Sequence, residues 1–244
     1  MRLVACALFV LVGCKAGEGD DYYTEPGNGG GLFGNTSGSL PDGGGGGDAG
    51  TTIMGRVCGL SEILNWDECD QAGLDGLLVT VGTSQKTTTA NGTFTDMPSP
   101  TGSNLVWRVS GNTQMKSLLE YPGDLTIPSI KTNLYQNVAA DANVAIDPTA
   151  GTIFVKVMYM GNPVAGATAT LAGLNDLVRY DDAAANGSFN VDATHLDGVV
   201  WFPNVSPGAT RTFTITPPQA IGTPKMTTVV VEAETATFAT VAFP

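Results

Sequence analysis

Thr87-Thr88-Thr89-Ala90-Asn91-Gly92-Thr93-Phe94 returns in kind 95 residues later as Asp182-Ala183-Ala184-Ala185-Asn186-Gly187-Ser188-Phe189. An Asn-Gly pair between alternating segments marks a tight hairpin, because both residues tolerate the positive φ that a type I′ turn requires. Each copy has a matching start. Ile53-Met54-Gly55-Arg56-Val57 precedes Leu77-Leu78-Val79-Thr80-Val81-Gly82, and Ile153-Phe154-Val155-Lys156-Val157 precedes Pro163-Val164-Ala165-Gly166-Ala167-Thr168-Ala169-Thr170-Leu171. The repeat predicts two tandem domains, residues 51–146 and 147–244, hinged at Asp147-Pro148-Thr149-Ala150-Gly151. Alternation such as Thr210-Arg211-Thr212-Phe213-Thr214-Ile215-Thr216 reads as strand, and Gly, Pro and Asn break the chain about every 8 to 12 residues. Only Leu60 to Trp66 approaches a helical period. Short strands with no helix to cover a sheet imply an all-β protein of two successive antiparallel β-sandwiches.

The second copy continues as Asp197-Gly198-Val199-Val200-Trp201-Phe202-Pro203-Asn204-Val205-Ser206-Pro207-Gly208 ahead of a Thr-rich strand. This order of elements, G-x-V, V-x-G-A, N-G-x-F and then D-G-x-V-x-F-x-N-V-x-P-G, resembles the carboxypeptidase regulatory-like family, a transthyretin-like β-sandwich. The likeness spans most of residues 51–244. The first copy departs from it in its second half, at Pro98-Ser99-Pro100-Thr101-Gly102 and Leu105-Val106-Trp107-Arg108-Val109. The resemblance implies an accessory or structural module of secreted and surface proteins, with no catalytic residues to carry over.

Residues 1–13 read as a secretory signal, with Arg2 followed by an apolar run from Leu3 to Val12. The run falls short of the ~20 residues that a membrane span needs. Its end, Leu11-Val12-Gly13-Cys14, resembles the bacterial lipobox, which implies diacylglyceryl and palmitate attachment at Cys14 and cleavage before it. Acyl chains contribute ~0.8 kcal/mol per buried CH₂, so two or three hold a protein on a bilayer. Lys15, where an Asp would favour the inner membrane in such lipoproteins, is compatible with transport to an outer membrane. Residues 14–50 carry the lipid site and a Gly-rich linker that cannot bury enough surface to offset the entropy of ordering it. The linker's ends are expected ~33 Å apart on average.

Charge and composition exclude several classes. The net charge of −12 disfavours nucleic acid, whose binding rests on Lys and Arg displacing counterions. A single His removes any multi-His metal centre. No G-x-S-x-G elbow accompanies His195, and no Gly-Lys-Ser/Thr closes the Gly runs into a phosphate loop. No catalytic, metal or cofactor site is therefore expected, and the protein reads as non-enzymatic.

Cys58 and Cys69 remain after Cys6 leaves with the signal and Cys14 takes lipid. In an oxidising compartment they are expected to form a disulfide, whose loop closure would contribute roughly 3 kcal/mol. The acidic stretch Glu62, Asp67, Glu68, Asp70 and Asp75 lacks the alternate-position spacing of a calcium loop and reads as a solvated insertion. Asp181 and Asp182 receive the same reading. Lys156 on a first strand would suit an internal isopeptide bond, but the last strand offers Glu232 and Glu234 and no Asn. Trp107 and Trp201 fall mid-strand among apolar neighbours and are expected in the core. Trp66, inside the Cys58 to Cys69 loop, is the candidate ligand-binding aromatic. The expected function is a lipid-anchored surface binding or structural module that meets an envelope protein. The alternative is a carbohydrate-binding module that stacks glycans on exposed rings.

Overall fold

The computed structural model describes residues 52–64, 66, 73–99, 105–111, 113–119, 125–172, 177–182 and 188–244. In the first half the strands are β1 (Thr52–Leu60), β2 (Leu78–Val81), β3 (Ser84–Thr87), β4 (Thr93–Pro98), β5 (Trp107–Ser110), β6 (Lys116–Leu119) and β7 (Thr126–Ile130), followed by helix α1 (Thr132–Asp141). The second half contributes β8 (Gly151–Tyr159), β9 (Asn162–Pro163), β10 (Thr168–Leu171), β11 (Arg179–Tyr180), β12 (Val199–Val205), β13 (Gly208–Thr216), β14 (Lys225–Val231) and β15 (Thr235–Phe243). The all-β expectation holds at this level. Two small sheets run β4-β1-β7 and β10-β13-β14, and a large one runs β11-β12-β8-β15-β6-β5-β2-β3, with β9 paired to β8.

The large sheet crosses the boundary expected at 146/147. β15 sits between β6 of the first half and β8 of the second, parallel to both. β1 and β7 are also parallel, so the expected all-antiparallel pairing needs correction. Parallel neighbours require long crossovers, and short strand spacings along the chain do not reveal them.

Register explains how the halves share a core. Trp107 pairs with Leu119, Leu119 with Phe238, Phe238 with Phe154, and Phe154 with Trp201. Laterally paired residues project to one face of a sheet. The five side chains therefore form an apolar row across β5, β6, β15, β8 and β12. At the β5 end the row joins a core with Val57 of β1, Phe94 of β4 and Ile127 of β7. At the β8 and β12 end it is covered by Leu60, Ile63, Leu64 and Trp66, and by Tyr135, Val138 and Ala139 of α1. The opposite face of the same strands, through Ile153, Val155, Val157, Val200 and Phe202, packs on Phe213, Ile215, Val229 and Val231 of the second small sheet. β8 is consequently buried on both faces over Gly151–Val157.

The indole N–H at the Trp201 end of the row is satisfied. Trp201 Nε1 donates to Thr152 Oγ1 at 2.6 Å, and that hydroxyl donates to the Phe202 carbonyl at 3.1 Å. The Tyr135 side chain hydrogen-bonds the same Thr152, and burial pushes its phenol above the usual range. One hydroxyl thus joins α1 to β8 and β12. A second hydroxyl closes a sheet edge: Tyr180 accepts from the Ala169 N–H at 2.9 Å and donates to the Ala169 carbonyl at 3.2 Å. β10 is an edge strand whose outward groups would otherwise recruit another chain.

Two local expectations change. The turn at Thr89-Ala90-Asn91-Gly92 closes through Gly92 N–H to Thr89 O at 2.7 Å and Thr89 N–H to Thr93 O at 2.8 Å. Gly92 has φ 71°, and Asn91 is not in the left-handed region. This is a type I turn closed by a left-handed glycine, not a type I′ turn. A Cβ on Gly92 would collide with the Val57 carbonyl and one on Gly73 with the Asn91 carbonyl, so the two glycines let the turn lie against β1. The second Asn186-Gly187 pair lies outside the described residues. The helix forms at Thr132–Asp141, not at Leu60–Trp66. Leu60 ends β1 and Ser61 to Leu64 bend, which turns Ile63 and Leu64 onto the row.

Replacing Thr152 by Val keeps the shape and leaves the Trp201 indole N–H without its acceptor in the core. The expected loss is ~1–3 kcal/mol, the cost of a buried unsatisfied donor. Urea unfolding followed by tryptophan emission measures it, and a midpoint equal to that of the parent chain would contradict the role given to Thr152.

Candidate functional site

Where α1 meets the connector into β8, the surface folds into a cleft of about 320 Å³. Its inner walls are apolar, from Met115, Tyr135, Ile146, Pro148 and Ala150, and Lys116, Gln136, Asp147 and Glu234 add polar groups. An apolar cavity with a few placed polar groups is the usual form of a ligand site.

The connector is held from both sides. Asn204 Oδ1 accepts from the Asp147 N–H at 2.9 Å, and its Nδ2 donates to the Ala145 carbonyl at 2.7 Å. The Asp147 carboxylate accepts from the Thr149 hydroxyl at 2.7 Å and the Thr149 N–H at 2.8 Å, and these bonds hold it below the usual carboxylate range. Ile146 is thereby kept 39 % exposed at the cleft instead of turning inward. On the other side, the Glu234 N–H donates to the Ala150 carbonyl at 2.8 Å. Glu234 itself has φ 57°, a left-handed backbone that is costly for a residue other than glycine. Asp147 to Gly151, read from sequence as a hinge, is therefore a fixed wall. Asp147 two residues before Thr149, the spacing of a side-chain-capped turn, is the signal that favoured a wall.

A second ordered group lies in the other half. Asp181 is fully buried, and its carboxylate accepts the backbone N–H groups of His195 at 3.0 Å, Asp197 at 2.9 Å and Val199 at 2.9 Å. Burial raises its pKa, the three hydrogen bonds oppose the rise, and the nearby Asp197 charge adds to it. The acceptor sites are spent on the chain itself, so Asp181 pins residues 195–199. Asp182 accepts from the Ser188 hydroxyl at 2.6 Å.

The sequence-derived candidates fall as follows. Trp66 is 5 % exposed, edge-on to Phe238 at 5.4 Å, with Lys156 Nζ 5.8 Å from its ring centroid. The candidate ligand-binding ring is therefore a core ring, because the bend after β1 carries it over the shared apolar row. Trp107 at 5 % and Trp201 at 0 % are buried as expected. Cys14 lies outside the described residues, as do Asp67, Glu68 and Asp70 of the acidic stretch, while Asp75 is exposed. Among the described residues no group of three or more His, Cys, Asp or Glu is placed to hold a metal. Lys156 is buried beside Trp66, and Glu232 pairs with Arg108 at 2.7 Å. His195 is half-buried, and its Nδ1 has no hydrogen-bond partner among the described residues.

Of the Cys58–Cys69 disulfide expected from sequence, the described residues include only the Cys58 end. Cys58 is fully buried and disulfide-bonded. It is the one cysteine among the described residues. A bridge is a relation between two sulfur positions, and Cys69 lies outside the described residues.

No protein-family model matches the chain, and no curated protein matches it.

Asp181 generates a pH prediction. Its folded pKa stands above the ordinary 3.8, so the stability it contributes is complete below 3.8 and is lost as pH rises through the folded value. Asp181→Asn removes this proton linkage. The parent chain should therefore gain stability relative to Asp181→Asn as pH falls from neutrality toward 3.8. Paired urea titrations across that range test it, and a difference that stays flat or grows with rising pH contradicts it.

Proposed function

We propose that this protein is a lipid-anchored cell-envelope module, held through acyl chains on Cys14 and spaced from the bilayer by the Gly-rich residues 15–50. The observation that carries this reading is the Leu11-Val12-Gly13-Cys14 junction directly after a short apolar run. Lys15 is compatible with transport to an outer membrane. Beyond the linker, residues 52–244 act as two β-sandwiches of the carboxypeptidase regulatory-like kind, built around one shared sheet. The apolar cores on opposite faces of that sheet support this arrangement. The role is non-catalytic: a rigid body that presents a surface to an envelope partner, with the cleft beside Ile146 as the binding position. The competing glycan-binding reading loses its support, because Trp66, Trp107 and Trp201 are all at or below 5 % exposure.

Cys14→Ala tests the anchor. The substitution should move the protein from the membrane to the soluble fraction and abolish labelling by a radioactive fatty acid. Unchanged fractionation with unchanged labelling overturns the reading.

A further inference from the structure

The strand that joins the two halves is the last of the described strands in chain order, and its partners are the most distant. Thr235 pairs with Lys116 and Ala236 with Thr152, separations of 119 and 84 residues. Most other pairings close shorter loops: Trp107 meets Leu119, Ile215 meets Lys225 and Lys156 meets Val199, while the parallel β1–β7 pair, Arg56 with Thr126, comes nearest at 70 residues. Loop-closure entropy must be met before a contact repays it, so long-range parallel pairing is intrinsically slow. The packing gain is correspondingly large. Ala236 and Phe238 belong to the core under α1, and Val241 and Phe243 to the core on the opposite face. Without β15 the large sheet divides into β11-β12-β8 and β6-β5-β2-β3.

We propose that β15 is a closing strand: each half forms its own pairings first, and insertion of residues 235–243 between β6 and β8 makes them one rigid unit. The turn ahead of the strand ties to both halves. Glu232 takes Arg108 of β5 through two nitrogens at 2.9 and 2.7 Å, and the Glu234 N–H takes the Ala150 carbonyl. The Thr237 hydroxyl donates to the Val230 carbonyl at 2.9 Å, fastening β15 to β14. For an exported chain, which is where this inference rests on the function proposed above, late closure keeps the polypeptide pliable until its residues beyond 234 have been delivered.

Pulsed hydrogen exchange during refolding of the full chain from urea, read by mass spectrometry, tests the order. Peptides covering β13 and β14 and those covering β2 and β5 should gain protection first. Those covering β15 and Ser117–Leu119 should follow together, at least several-fold more slowly. Protection of β15 as early as the β13–β14 pair overturns the proposal. Ala239→Pro, opposite Val155 in β8, supplies a second readout at equilibrium. It should lower protection of Ser117–Leu119 more than tenfold while sparing β13 and β14; loss spread evenly over the molecule, or none at all, overturns the proposal. Both readouts are taken in solution, so they fail or succeed independently of the Cys14 anchor.

Discussion

The row Trp107, Leu119, Phe238, Phe154 and Trp201 is apolar across five neighbouring strands, and water must be kept from all of it. That constraint organises the molecule. The first small sheet reaches only the Trp107 end, and the second covers the reverse face. The middle is closed by Leu60 to Trp66 and by α1, both from the first half, lying over strands of the second. Burying side chains the size of Phe or Leu is worth about 1.5–3 kcal/mol apiece, so a face of this extent couples the halves far more strongly than the ion pair Arg108–Glu232. That pair is about 40 % exposed on each side and well screened.

Polar side chains then decide which of the possible coverings is adopted. Thr152 accepts the Trp201 indole and meets Tyr135, so α1 has one seat on the row. Asp181 gathers three N–H groups of residues 195–199, and Asn204 gathers the connector from Ala145 to Asp147. Asp181 and Asn204 serve backbone groups, and Thr152 serves two ring side chains. The cleft is a by-product of the same economy. α1 covers the row with Tyr135, Val138 and Ala139, and the connector returns beside it with Ile146 held outward.

Much of the fold was legible locally. Alternation placed β10 and β13 close to their observed positions, because a strand with one face buried imprints a period of two on its own residues, and the matched segments of the repeat placed β1, β2 and β8. Asn91-Gly92 marked a real turn, although its type depended on how Gly92 lies against Gly73 and β1. Helix α1 went unread. It has no side-chain cap and no acidic residue in its first turn, and its apolar positions Leu134, Tyr135, Val138 and Ala139 make a helical face only when there is a row to cover.

What the sequence determined by itself was therefore the inventory: strands, turns, an apolar run ahead of Leu-Val-Gly-Cys, a Gly-rich stretch and the acidic balance, all properties of residues near one another in the chain. The tertiary structure decided the rest. It set which strand enters the sheet between β6 and β8, moved Trp66 from a presumed surface loop into the core, and made Asp147 to Gly151 a wall. Those outcomes depend on contacts between residues as far apart as Lys116 and Thr235, and no local pattern encodes which distant partner will complete an exposed edge.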